Sequence, residues 1–261
     1  MRRRYFTPKY NTNKYLTIIA LSDEVAIKFS SNCLYKIDNS DWVFYEAGRE
    51  VKINIDSAIY FKGSLISYGQ SGIGRFTISG SCKLDGNCLS MLYFDEADKN
   101  SQVSRYAFRS LFVDCESIVS VSNNFLPATT LAEDCYHSMF FGCTSLTAPP
   151  ELPATALVDG CYENMFHNCS KLTTAPELPA TMLINNCYNE MFRGCSNLSY
   201  IKMLATDISA SNCLTDWVSG VASTGTFVKN PNMTSLPIGI SGIPEGWTVV
   251  NDGEESGGMV K

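Results

Sequence analysis

Long apolar runs are missing from this chain. No segment approaches the roughly 20 consecutive apolar residues that cross a bilayer, which argues against membrane insertion. The run Leu16 to Leu21 follows a polar stretch, Thr7 to Lys14, and is too short for a secretory core. The sequence therefore leads us to expect a chain made in the cytosol and not exported by a signal. Basic charge is also short, with 20 Lys and Arg against 26 Asp and Glu, a net charge of −6. From Glu133 to Cys195 the acids Glu133, Asp134, Glu151, Asp159, Glu163, Glu177 and Glu190 face only Lys171 and Arg193. Such a balance repels phosphate backbones, so nucleic-acid binding is excluded as an expectation.

Histidine is scarce, with only His137 and His167, and they stand at non-equivalent positions. No repeated metal or acid–base site follows from them. The stretch Gly69-Gln70-Ser71-Gly72-Ile73-Gly74 matches neither a dinucleotide fingerprint nor a nucleophile elbow, and a turn is expected there. We expect no catalytic residues, no metal and no cofactor.

Cysteine is the exception to this scarcity. There are 11, and in the middle of the chain they pair eight residues apart, as Cys161 and Cys169 do. On a helix this spacing is about 12 Å of rise, too far for a disulfide. It also misses the short spacing of structural zinc ligands. Reduced thiols packed as small hydrophobes are expected.

Those cysteines mark a repeat. Cys135-Tyr136-His137-Ser138-Met139-Phe140-Phe141-Gly142-Cys143 returns at Cys161 to Cys169 and at Cys187 to Cys195, and the next step reaches Cys213, a period of 26 residues. A fixed period of this size means one supersecondary unit stacked on copies of itself. A degenerate first copy, Ala107 to Cys115, carries two extra residues before Cys143. Leu157, Cys161, Met165 and Cys169 recur every four residues, which predicts an amphipathic helix, capped by Thr155 or Asp159. Pro176 and Pro179 end it, leaving Leu172 to Ala175 as a short strand.

Before the repeats, period-two alternation predicts strands at Tyr15–Ala20, Val25–Phe29, Cys33–Ile37, Trp42–Tyr45, Val51–Ile55, Ala58–Lys62, Arg75–Ser79 and Cys82–Asp85. Many short strands at this spacing favour a small β-sandwich. The expected architecture is an α/β repeat protein: a tail over 1–14, the β-sandwich over 15–95 and leucine-rich repeats over 96–212. The repeats are about four helix–strand coils forming a solenoid. A C-terminal cap over 213–250 and a flexible tail over 251–261 complete it.

The motif Cys-Tyr-x-x-Met-Phe-x-x-Cys-[Ser/Thr]-x-Leu-Thr, followed by Ala175-Pro176-Glu177-Leu178-Pro179-Ala180-Thr181, resembles the BspA-like (Treponema-type) leucine-rich repeats of Bacteroides surface proteins and of their phages. The stretches Tyr35 to Trp42 and Gly225 to Val249 are similar to the flanks of phage-type members. The resemblance implies a non-enzymatic structural or adhesive virion protein, a tail or capsid component made in the host cytoplasm. Its partners would be other virion proteins, further copies of itself, and a host-surface glycan or protein. A bacterial cell-surface adhesin is the alternative. A second alternative is a carbohydrate-binding module or enzyme in the N-terminal domain, with Trp42, Tyr45 and Tyr60 as stacking residues.

If the repeats bind a partner, the positions that vary between copies on the outer side of the predicted helices are the place to look: His137, Phe141, Glu163, His167, Asn189 and Arg193. Glu151 and Glu177, equivalent sites between prolines, are expected to form an acidic row on the strand side.

Overall fold

The computed structural model describes residues 14–63 and 74–254. The Arg2-Arg3-Arg4 start, nearly all of the Gly69–Gly74 turn and most of the expected C-terminal tail lie outside the described residues. The first eight strands are β1 (Leu16–Ala20), β2 (Val25–Phe29), β3 (Cys33–Ile37), β4 (Val43–Tyr45), β5 (Glu50–Ile53), β6 (Ala58–Lys62), β7 (Phe76–Ser79) and β8 (Cys82–Asp85), and β2, β5, β7 and β8 alternate buried and more exposed side chains. In β2, for example, Val25, Ile27 and Phe29 are buried while Lys28 between them is exposed, the half-buried alternation of a sheet with one wet face.

β5, β2 and β7 make a three-stranded antiparallel sheet that faces a larger one ordered β4-β3-β6-β1-β8-β9, where β9 is Ile118–Val121. Phe29 and Phe76 from the small sheet meet Phe61 from the large one, with centroids 6.4 and 5.1 Å apart. β9 joins β8 in parallel, so the large sheet runs without a break into the repeats. Its ladder continues through the bridge Ser120–Ala148, and Thr174–Tyr200 leads on to a parallel sheet of β10 (Tyr200–Met203), β11 (Thr226–Lys229) and β12 (Thr248–Asn251).

The α/β leucine-rich-repeat solenoid expected from the sequence is overturned. The described residues hold 12 strands in three sheets and a single α-helix of four residues, Ser90–Tyr93 (α1), which lies outside the repeats. Each nine-residue Cys-to-Cys segment is a run of tight turns. Positive φ recurs at every fourth residue: Asp134, Ser138, Gly142; Gly160, Asn164, Asn168; Asn186, Glu190, Gly194; and Asn212, Asp216, Gly220. A residue in the left-handed region ends a right-handed helix, and Gly, Asn and Asp adopt it most readily. With one such residue in every four, no helix propagates. Neither Thr155 nor Asp159 therefore caps one, and Cys213 to Val218 opens none.

Backbone pairing follows the same rhythm. The amides of Cys135, His137, Met139, Phe141 and Cys143 donate to carbonyls three residues back. Those of Tyr136, Ser138, Phe140 and Gly142 donate across to Cys161, Glu163, Met165 and His167 of the next copy, at 3.1, 2.8, 3.0 and 2.8 Å. The pattern repeats from the copy at Cys161 to that at Cys187, and from there to Cys213. Every backbone donor of the turn run is thus used, half locally and half between layers.

Side chains at equivalent positions pile into columns. Phe76, Phe112, Phe140, Phe166 and Phe192 form one, with centroids 5.1, 5.7, 5.7 and 5.8 Å apart and planes within 11° of parallel. Trp217 ends it, its indole N–H donating to Gly242 at 2.9 Å. A second column runs Phe108, Tyr136, Tyr162, Tyr188. At about 1.5–3 kcal/mol for each fully buried large side chain, these columns dominate the cohesion between layers. They belong to one apolar core that extends from Leu16 to Trp247.

Candidate functional site

All 11 cysteines are free thiols and all are buried. The second cysteine of each copy donates its thiol to a phenylalanine carbonyl of the layer before. Cys115 bonds Phe76 O at 3.2 Å, Cys143 bonds Phe112 O at 3.3 Å, Cys169 bonds Phe140 O at 3.1 Å and Cys195 bonds Phe166 O at 3.0 Å. Burial pushes Cys195 and Cys135 up to about 12 and raises Cys143 and Cys169 well above the ordinary thiol range. These thiols stay protonated, and the second one of each copy serves as a short donor that pins one layer to the next. The sequence showed the spacing; it did not show the carbonyl acceptors.

The six candidate residues fall into two columns on the turn side, because the layers repeat in register. His137, Glu163 and Asn189 stand in one, extended backwards by Arg109; Phe141, His167 and Arg193 stand in the other. All six are half-buried, where exposed positions on the outer side of helices were expected. The Phe141 and His167 rings lie 4.6 Å apart. His167 Nδ1 is 3.0 Å from Asn164 Oδ1 and 3.3 Å from Glu190 Oε2. Glu190 in turn binds Arg193 at 3.1 Å, and Arg193 reaches Asp216 of the following layer at 3.6 Å.

At the other end, Arg109 pairs with Asp134 at 2.6 Å and lies 3.5 Å from His137 Nε2, which is 3.9 Å from Glu163 Oε1. Burial, helped by the Arg109 guanidinium, pulls His137 down to about 4. Burial also lowers His167 and raises the carboxyls of Asp134 and Glu163. Both imidazoles are therefore neutral at neutral pH. What the arrangement can do chemically is bind: it offers a ridge whose donors and acceptors differ from layer to layer on an unvarying core. Arg109, Asp134 and Glu190 complete the ridge and were missed. For Arg109 and Glu190 the signal was positional, since they sit at a repeat offset occupied by a candidate or next to one; Asp134, one residue before Cys135, had no such signal.

On the strand side, Glu177 is ion-paired rather than free. Lys202 takes it at 3.3 Å and holds Asp252 at 3.0 Å. In the sandwich, the aromatic residues considered for sugar stacking are occupied. Tyr45 is fully buried, accepting from the Phe29 amide at 2.7 Å and donating to the Arg49 carbonyl. Tyr60 is 3% exposed. Trp42 is covered by the Lys62 ammonium at 4.4 Å, and Lys62 is bound to Asp95 at 2.8 and 3.0 Å. Tyr15 donates to the same carboxylate at 2.6 Å. Hydrogen bonds from Lys62 and then Tyr15 hold Asp95 below the usual carboxylate range, while burial and Asp95 push Tyr15 up to about 12. This cluster fastens β1 and β6 to the turn after α1.

Among the described residues, no group of three or more His, Cys, Asp or Glu is arranged to hold a metal ion. Nor is any helix among them long and apolar enough to cross a membrane. Compared with protein-family models, with curated proteins and with solved structures, the chain finds no match in any of the three.

Proposed function

We propose that this chain is a non-enzymatic structural or adhesive protein, a component of a phage particle made in the host cytoplasm. In this reading it assembles with other particle proteins and with copies of itself. The turn-side ridge is its adhesive face, for a host-surface glycan or protein. The observation that carries it is the contrast between columns. Core positions repeat as Phe on Phe and Tyr on Tyr. The neighbouring positions on the ridge change from Arg109 to His137 to Glu163 to Asn189, and from Phe141 to His167 to Arg193.

A rigid ladder that keeps its interior constant and varies its outside suits recognition, since binding is better served by side chains that lose little freedom on docking. The groups with reactive potential are already committed to cohesion: thiols to carbonyls, imidazoles to carboxylates of the layer in front. The particle assignment draws its support from the repeat motif's resemblance. Mass spectrometry of purified particles, washed at high salt, tests it. Tryptic peptides from the 107–195 segment should appear in fixed proportion to the other particle proteins, and their absence would sink the proposal.

A further inference from the structure

We infer that the edge strand β4 is the surface through which two copies of this chain join, pairing antiparallel across Val43–Tyr45. The inference rests on the assembling role proposed above and supplies that role with an interface.

An unpaired strand edge is a template for further pairing, and proteins blunt such edges with charge, cover or continuation. Most of the other edges among the described residues have one of these devices. β9 continues into Ala148, and β10 into Thr174. β7 is covered by the first repeat: its Phe76 amide donates to Leu111 O at 2.8 Å, and Ser117 Oγ donates to Ile78 O at 3.0 Å. β5 carries Glu50 and Lys52, ion-paired to Lys28 and Glu24 at 3.1 and 2.9 Å. β12 exposes Val249 at 43%, flanked by polar Thr248 and Asn251 and by the Asp252–Lys202 pair.

β4 has none. It is built of Val43, Phe44 and Tyr45 alone, and among the described residues it pairs only with β3. Phe44 is 61% exposed and Val43 46%, and adjacent strand residues point to opposite faces, so both sides of the edge present apolar surface to water.

A second copy fits this edge for two reasons. Antiparallel pairing of a strand with itself is closed by a two-fold axis, the commonest symmetry of protein assemblies. Charge then agrees with a register centred on Phe44. One step beyond Tyr35–Val43, Lys36 stands opposite Trp42, its ammonium 5.6 Å from that ring and 5.0 Å from Tyr60. Lys36 has no carboxylate partner among the described residues, and the exposed Glu46 has no cationic one. Pairing about Phe44 sets the partner's Glu46 opposite Trp42, in the same row as Lys36. In each of two symmetry-related rows, one copy's Lys36 and Trp42 thereby meet the other copy's Glu46.

Sedimentation of the purified full chain over a range of concentrations tests this. The wild type should be a dimer that dissociates on dilution. Phe44→Lys should be monomeric and should melt where the dilute, dissociated wild type melts, because Phe44 is exposed in the single chain. Lys36→Glu should weaken the dimer by about tenfold or more in Kd, and adding Glu46→Lys should restore it. That pair of variants decides the matter if Phe44→Lys fails to fold. A monomeric wild type, or a dimer indifferent to these changes, overturns the interface. A monomer still found in particles would leave the assembly role standing, whereas a β4 dimer absent from particles would refute that role alone.

Discussion

The side-chain amide of Asn168 lies across the α-carbon of Gly194 in the next layer, so that a β-carbon on Gly194 would meet Asn168 Oδ1 at 2.2 Å. Gly194 also has φ +74°, in the left-handed region. Gly194→Ala therefore combines a clash with a backbone penalty of about 1–2 kcal/mol. Chemical denaturation should show the larger part of the loss relieved by Asn168→Gly, which removes the obstructing amide. Strict additivity of the two substitutions would show that the contact carries no strain.

That pair also explains where the sequence was legible and where it misled. The strands at Val25–Phe29, Cys33–Ile37 and Cys82–Asp85 begin and end where alternation placed them. Alternation works there because a strand with one buried face has a period of two and nothing else produces it. In the repeats, Leu157, Cys161, Met165 and Cys169 gave a period of four, close enough to 3.6 to pass for a helix. The discriminating signal lay in the other residues: Gly160, Asn164 and Asn168, then Asn186 and Gly194, place left-handed-tolerant residues on the same four-residue beat. A helix would have drifted about 40° per repeat of four; the strict beat belonged to turns. The ridge was half-legible for the same reason. The positions varying between copies could be found by aligning them, but their half-burial and their cross-layer partners depend on layers stacking at turn spacing.

Phe166 sits between Phe140 and Phe192 with no exposed surface, and Phe166→Ala should cost about 3–5 kcal/mol by urea denaturation. Phe44→Ala, at a 61% exposed site, should change the stability of the single chain by less than about 0.5 kcal/mol. Equal losses at the two sites would deny the column its place in the core.

Tyr162 tests the neighbouring column in the opposite direction. Its hydroxyl is buried without a hydrogen-bond partner. The first copy already carries Phe108 at this position, stacked 5.7 Å from Tyr136. Tyr162→Phe should leave the chain as stable or raise its stability by about 1 kcal/mol, since it removes an unpaired buried polar group while keeping the ring. A clear destabilisation would reveal a partner for that oxygen.

The thiols make a kinetic prediction. At pH 8 a disulfide reagent reacts with thiolate, and a thiol raised to about 12 is almost wholly protonated as well as shielded. The native chain should therefore label far more slowly than the denatured one, in which all 11 thiols become reactive. Cys213 should label first, because it lies in the last Cys-headed layer and lines a surface pocket of about 190 Å³. Rapid labelling of Cys143 or Cys169 in the native chain would mean that the layers open readily.

His137 makes the fold less stable as the medium turns acid. Its folded value, about 4, lies below the ordinary 6.5, so the unfolded chain binds the proton more readily. The stability it contributes is complete above pH 6.5 and is lost as pH falls from there toward 4. Asp134 and Glu163 are shifted upwards, so over part of that range they work in the opposite sense, favouring the folded chain as pH falls. The comparison that isolates the histidine is wild type against His137→Gln, which keeps a polar side chain between Arg109 and Glu163. Melting temperatures should fall more steeply for the wild type between pH 6.5 and 4, and the two curves should run parallel above pH 7. An imidazole titration by NMR gives the independent check. A His137 midpoint at or above 6.5 would mean that Glu163, at 3.9 Å, outweighs both burial and Arg109, and that the charged pair, not the neutral one, joins these layers.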